Sequence, residues 1–123
     1  GFELWVACPE QYMPREKSQF DNVIFTDSIN EAVINSDIVT TDVWVSMGDE
    51  EDKDNRRLLF QDYQVNESLL DQASSEVIFL HCLPAIRGEE ISKDLLNDPR
   101  SRVWAQAENR LHAQKGLLVN LLG

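Results

Sequence analysis

Residues 77–84 read VIFLHCLP, an apolar run that ends in a histidine, a cysteine and a proline. Four consecutive apolar residues of this kind are typical of a buried strand in a parallel sheet. A second short run, IVTT at 38–41, is followed by DVWVSMG at 42–48. Parallel sheets bind ligands beyond the carboxyl ends of their strands, so the residues after these two strands form the predicted site.

The rest of the chain alternates between short apolar runs and amphipathic segments. Two further strands are predicted at 4–8 and 23–25, and helices at 29–34, 49–62, 65–73 and 108–122. Ser28 and Asn66 are the predicted N-caps of two of these helices. Residues 103–105 are predicted to form a last short strand or an extended turn.

Strands that alternate with helices form parallel βαβ units with right-handed crossovers. The sequence therefore predicts an α/β fold, a three-layer αβα sandwich with a mainly parallel, doubly wound (Rossmann-like) sheet. The 123 residues fit a single domain. Because residues 1–3 resemble the end of a helix that feeds the first strand, we expect this domain to be incomplete at its start.

Composition excludes several classes of function. Acids outnumber bases 22 to 11, which gives a net charge of -11 and argues against a broad nucleic-acid surface. No apolar run approaches the length needed to span a membrane, so no membrane partner is expected. The two cysteines lack a C-x-x-C spacing, which favours a reducing compartment: the cytoplasm, or the mitochondrial matrix in a eukaryote.

No metal and no cofactor are expected. His81 and Cys82 are adjacent, which points their side chains in different directions, and no further Cys/His pair completes a tetrahedral site. The five glycines form no phosphate-binding loop of the dinucleotide or P-loop type.

Taken singly, each candidate residue has a structural explanation. Cys82 would be a small buried hydrophobe, and His81 a structural histidine. Asp42 could cap a turn, Met47 could fill a gap in an ordinary loop, and Arg110 could be a surface charge on a helix.

Three motifs occur together: DVWVSMG at 42–48, HCLP at 81–84 and AENRLHAQK at 107–115. In this combination they resemble the ornithine carbamoyltransferase family, over essentially the whole chain. HCLP with the arginine motif is typical of the wider carbamoyltransferases, and SMG at 46–48 favours ornithine. Residues 1–123 resemble the carboxy-terminal, ornithine-binding domain of such an enzyme.

The resemblance implies transfer of the carbamoyl group of carbamoyl phosphate to the side-chain amine of L-ornithine, giving L-citrulline and phosphate in arginine biosynthesis or catabolism. An alkylammonium has a pKa of about 10.4, so it must lose a proton before it attacks. By the resemblance, Asp42 and Cys82 orient the amine and accept or relay its proton. Whether Cys82 is a thiolate base or a hydrogen-bond partner stays open at this point.

The resemblance also implies the remaining site residues. Ser46 and Met47 hold the amino-acid end of ornithine, together with Asp42 and Cys82. Carbamoyl phosphate contacts Cys82, Leu83 and Arg110, and Arg110 stabilises the developing oxyanion. The Leu83-Pro84 peptide is expected to be cis, a form whose free-energy cost is small only before proline. His81, Pro84 and Gly48 neighbour the site.

The family's phosphate-binding Ser-Thr-Arg-Thr and His-Pro motifs are absent from this chain, because they belong to an amino-terminal, carbamoyl-phosphate-binding domain. We therefore expect the chain to be inactive alone and to require that domain, in a homo-oligomer built as a trimer or its multiples. Two alternatives remain. One is a related carbamoyltransferase for putrescine, acetylornithine or another amine; the other is a non-catalytic binding module that keeps the fold.

Overall fold

The computed structural model describes residues 1–16, 21–46 and 52–123. Within these ranges there are four strands: β1 (Leu4–Ala7), β2 (Val23–Thr26), β3 (Ile38–Thr41) and β4 (Ile78–His81). The helices are α1 (Ile29–Val33), α2 (Lys53–Phe60), α3 (Glu67–Leu70) and α4 (Val103–Leu122). Short 3-10 turns lie at Glu10–Tyr12, Gln61–Tyr63 and Leu95–Asn97. In these ranges no helix has the length and apolar character needed to cross a membrane.

The strands pair in parallel, as predicted. β1 lies beside β2 with Leu4 opposite Val23, and β3 lies beside β4 with Thr41 opposite His81. Among the described residues these ladders form two two-stranded sheets, β1-β2 and β3-β4. A parallel bridge between Phe79 and Ser101 widens the second sheet at the edge of β4 that faces away from β3. Parallel strands joined through helices agree with the predicted α/β class.

The main core lies around β4. Phe79 is fully buried, and so are Ile91, Leu95 and Val103 from the segments that follow. Since side chains alternate along a strand, Phe79 and His81 share the inward face of β4. His81 is 1% exposed, so the core extends to the last residue of the strand. Cys82, the next residue, is exposed at the edge of the sheet.

Both predicted N-caps are confirmed. The Ser28 side chain accepts a hydrogen bond from the backbone N–H of Glu31 at 3.2 Å, and that of Asn66 accepts one from Leu69 at 2.8 Å. Each cap satisfies one of the free N–H groups in the first turn of its helix.

Three predicted elements are wrong or shifted. The 103–105 segment is the first turn of α4, which begins five residues before the predicted start at 108. Ser101 already makes the edge bridge, and Val103 then fills the core as a helical residue. The helix predicted at 65–73 shrinks to α3, since Val65 bridges Ile91 instead. Residues 1–3 have no regular structure, so the predicted helix end is absent there.

The helix predicted at 49–62 is confirmed in part. α2 begins at Lys53 and ends at Phe60, where a 3-10 turn continues the chain. Residues 49–51 lie outside the described residues.

Candidate active site

The carboxyl ends of β3 and β4 bring two of the predicted residues into contact. Because Thr41 lies opposite His81 in a parallel ladder, the following residues, Asp42 and Cys82, leave the sheet at the same edge. The Cys82 thiol donates a hydrogen bond to Asp42 Oδ1, with Sγ and Oδ1 3.3 Å apart. Asp42 Oδ1 also accepts from the backbone N–H of Val43 at 2.7 Å, which orients the carboxylate.

Burial and the contact with Asp42 both affect the pKa of Cys82. Partial burial raises the pKa of the thiol above its ordinary value, and the hydrogen bond and negative charge of Asp42 raise it further. A backbone hydrogen bond at Cys82 and the positive charge of Arg110 act in the opposite direction but do not reverse the shift. The raised pKa agrees with a protonated Cys82 thiol that donates to Asp42.

An open pocket of about 550 Å³ lies between the loop after β4 and helix α4. The residues that line it are Cys82, Leu83, Pro84, Ala107, Arg110, Leu111 and Gln114. Ala107, Arg110, Leu111 and Gln114 follow one another at spacings of three, one and three, so they share one face of the helix. The pocket therefore contains Cys82 and Arg110, two predicted site residues 28 positions apart in the sequence.

The floor of this pocket is a tightly held loop. The Leu83-Pro84 peptide is cis, as the sequence resemblance implied, and Leu83 has a φ of 58°. The backbone N–H of Leu83 donates to His81 Nδ1 at 2.9 Å. Because Nδ1 accepts this bond, the proton of the neutral imidazole is assigned to Nε2. His81 thus positions the loop from inside the core.

Glu90 completes this arrangement. Its Oε1 accepts from His81 Nε2 at 3.2 Å and from the backbone N–H of Ile86 at 2.6 Å. The side chains of His81 and Glu90 are both fully buried. Glu90 Oε2 has no hydrogen-bond partner among the described residues. A buried acid therefore holds both His81 and the chain after the cis peptide.

Two residues that position His81, Glu90 and Gln106, were not predicted from the sequence. The side chain of Gln106 accepts a hydrogen bond from the backbone N–H of His81 at 2.9 Å, tying α4 to the end of β4 one turn before Arg110. The alternation along β4 was a usable signal, since it places His81 inward, where an imidazole needs polar partners. The sequence around His81 does not indicate which distant acid or amide becomes its hydrogen-bond partner.

The loop after β3 carries the other predicted contacts. Trp44 is buried, and its carbonyl accepts from Arg56 Nη1 of α2 at 3.3 Å. Ser46 is exposed at the end of the described part of this loop. Met47 and Gly48 lie outside the described residues, so their predicted roles stay predictions. Within the described ranges, no group of three or more His, Cys, Asp and Glu residues is placed to hold a metal ion.

Comparisons with known proteins agree on one family. The family model of the aspartate/ornithine carbamoyltransferase Asp/Orn binding domain matches residues 1–121. An anabolic ornithine carbamoyltransferase of Pseudomonas aeruginosa is 54% identical over 126 residues, which cover 98% of this chain and 41% of the relative. The ornithine carbamoyltransferase of Methanosphaera stadtmanae is 48% identical over 131 residues, covering 98% of this chain and 43% of the relative.

The crystal structure of ornithine carbamoyltransferase from Thermus thermophilus matches with a TM-score of 0.85 and 40% identity, over 98% of this chain and 40% of that chain. This likeness confirms the predicted fold class. The chain spans about two fifths of the length of these relatives. With a family model that matches all but its last two residues, this chain belongs to the aspartate/ornithine carbamoyltransferase family, as its Asp/Orn binding domain.

Proposed function

We propose that this chain is the L-ornithine-binding part of an ornithine carbamoyltransferase, which moves the carbamoyl group of carbamoyl phosphate to the side-chain amine of ornithine. The products are L-citrulline and phosphate. The observation that carries the proposal is the contact of Cys82 with Asp42 beside a pocket that also contains Arg110.

Asp42 and Cys82 would prepare the amine. Ornithine arrives as an ammonium ion, which an exposed carboxylate attracts, but only the neutral amine carries the lone pair that attacks the carbamoyl carbon. Asp42 is the group that would orient the ammonium and accept or relay its proton. The raised pKa of the Cys82 thiol favours the hydrogen-bonding role over the thiolate-base role, because the thiol already donates to Asp42.

Arg110 and Leu83 would serve the carbamoyl group. A guanidinium in the pocket can donate hydrogen bonds to the carbonyl oxygen, which becomes negative as the tetrahedral intermediate forms. The backbone carbonyls of Cys82 and Leu83 would accept from the carbamoyl amide. The hydrogen bond from the Leu83 N–H to His81 Nδ1 fixes the direction of these backbone groups before substrate arrives.

Ser46 and Met47 would hold the amino-acid end of ornithine, with Gly48 beside them. This assignment rests on the sequence motif and on the position of the exposed Ser46 in the loop after β3, four residues beyond Asp42. It is what makes ornithine the preferred amine in the proposal.

The whole reaction requires a second part. The matched relatives are more than twice as long as this chain, and the pocket beside Cys82 is open. We propose that a carbamoyl-phosphate-binding domain outside residues 1–123 closes it, and that the enzyme is a homotrimer or a multiple of one. We also propose that it works in the cytoplasm or another reducing compartment, because its two cysteines lack a C-x-x-C spacing.

A substrate comparison tests the proposal. The full-length protein is assayed for carbamoyl transfer from carbamoyl phosphate to ornithine, acetylornithine and putrescine under identical conditions. We expect the highest kcat/KM with ornithine and citrulline as the product. A preference for either of the other amines, or no transfer to any of them, would contradict the assignment.

A further inference from the structure

We propose that the ion pair between Arg57 of α2 and Glu89, in the loop after β4, is a positioning pair for the amine substrate. It holds the two loops that carry Asp42 and Cys82 at a fixed separation. The inference rests on the proposed function and adds a specificity element to it.

The pair joins two distant parts of the chain. Arg57 Nη2 lies 2.9 Å from Glu89 Oε1, and Arg57 Nε donates to the same oxygen at 3.1 Å. Two donors from one planar guanidinium restrict its orientation more than a single contact would. Gln64 Nε2 donates to the backbone carbonyl of Glu89 at 2.7 Å, so the chain just beyond α2 grips the same residue.

The Glu89-Glu90 dipeptide links this pair to the site. Glu90 points into the core, where it holds His81 and the backbone of Ile86. Glu89 holds α2 instead. Two adjacent acids therefore connect the loop after β4 to two elements: Glu90 to β4 in the core, and Glu89 to α2.

Helix α2 carries the connection to the other wall of the site. Arg56, next to Arg57, donates to the carbonyl of Trp44, two residues after Asp42. Its guanidinium also lies over the ring of Tyr12, 5.2 Å from the centroid. The Phe60 ring packs against the rings of Trp44 and Tyr63. α2 is thus attached to the loop after β3 by Arg56 and Phe60, and to the loop after β4 by Arg57.

A purely structural role predicts a different outcome. The side chains of Arg57 and Glu89 are 41% and 22% exposed, and ion pairs of this kind contribute little to folding. A change in the separation of the two loops, by contrast, would move Asp42 relative to Cys82. An active site responds strongly to small displacements of its binding groups.

The experiment is a double-mutant cycle in the full-length protein, with Arg57→Ala, Glu89→Ala and the double variant. We expect KM for ornithine to rise about tenfold in each single variant and no further in the double variant. KM for carbamoyl phosphate should change less than about twofold, because its predicted contacts lie on the Cys82 side. The exchanged pair, Arg57→Glu with Glu89→Arg, should recover part of the ornithine affinity.

Asp54→Asn is the matched control. Asp54 is the second carboxylate near Arg57, at 3.7 Å, and it is almost fully exposed on α2. Its removal should leave both KM values unchanged. If the alanine variants fold poorly, Arg57→Lys and Glu89→Gln keep most of the shape, and smaller increases in KM for ornithine alone are expected.

Two failures are distinguishable. If the unsubstituted protein forms no citrulline, this result contradicts the proposed function, and the positioning role is contradicted as well. If it does form citrulline, but the folded variants keep KM for ornithine within twofold or change both KM values equally, the pair is only structural.

Discussion

Replacing Glu90 by alanine should destabilise the protein more than any other single change at the site. The side chain is fully buried, and its Oε1 accepts from two N–H groups, those of His81 Nε2 and Ile86. Alanine leaves both donors without an acceptor. A buried donor left unpaired costs about 1–3 kcal/mol, and the N–H of Ile86 is only partly buried, so we expect a loss of about 3 kcal/mol in the free energy of unfolding.

Glu90→Gln isolates the cause of this loss. Glutamine keeps an acceptor oxygen for both donors, but its amide NH2 takes the place of Oε2, which has no partner among the described residues. One buried donor left unpaired should cost about 1 kcal/mol. Glu89→Ala is the neighbouring control, with a much smaller expected loss because Glu89 is partly exposed.

Urea denaturation followed by tryptophan fluorescence measures these differences, since Trp44 is buried in the folded state. The expected order of destabilisation is Glu90→Ala, then Glu90→Gln, then Glu89→Ala. Equal losses for the two Glu90 variants would refute the role given to Oε1. A loss below about 1 kcal/mol for Glu90→Ala would refute the buried network itself.

Arg110→Ala should lower kcat more than tenfold but change the free energy of unfolding by less than about 0.5 kcal/mol, as measured by steady-state kinetics and denaturation curves. An unchanged kcat would contradict the role of Arg110 at the oxyanion. In a Cys8→Ser background, alkylation of Cys82 by iodoacetamide should begin at higher pH than for a free thiol, because the pKa of Cys82 is raised. Asp42→Asn should shift the pH dependence of this alkylation to lower pH. An unshifted pH dependence would contradict the hydrogen bond between Cys82 and Asp42. In hydrogen exchange on residues 1–123 alone, the largely exposed part of α4 beyond its first turn should lose protection well before β4 does. Equal protection of the two would contradict this exposure.

Periodicity and strand-end reasoning predicted the parts of the fold that depend on local sequence. The apolar runs at 38–41 and 77–80 are strands in the structure, or within one residue of one, and Ser28 and Asn66 cap their helices. Cys82 and Asp42 could be expected to meet because parallel neighbours end at one edge.

The parts that failed depend on contacts between distant residues. The 103–105 segment contains residues compatible with either a strand or a helix, and the bridge of Ser101 to Phe79 decides between them. The acceptor of the buried His81 and the partner of Arg57 are acids nine and 32 positions away. Charge runs such as Glu89-Glu90 look alike in sequence whether they face solvent or the core, so only the packed chain separates their roles.

The most direct test of the central claim is the effect of Cys82→Ala on ornithine turnover by the full-length protein. We expect a lower kcat and a higher KM for ornithine, because the variant loses the thiol that donates to Asp42 at the amine site. Unchanged values of both constants, in a variant that folds normally, would mean that the thiol only fills space and that the amine site lies elsewhere.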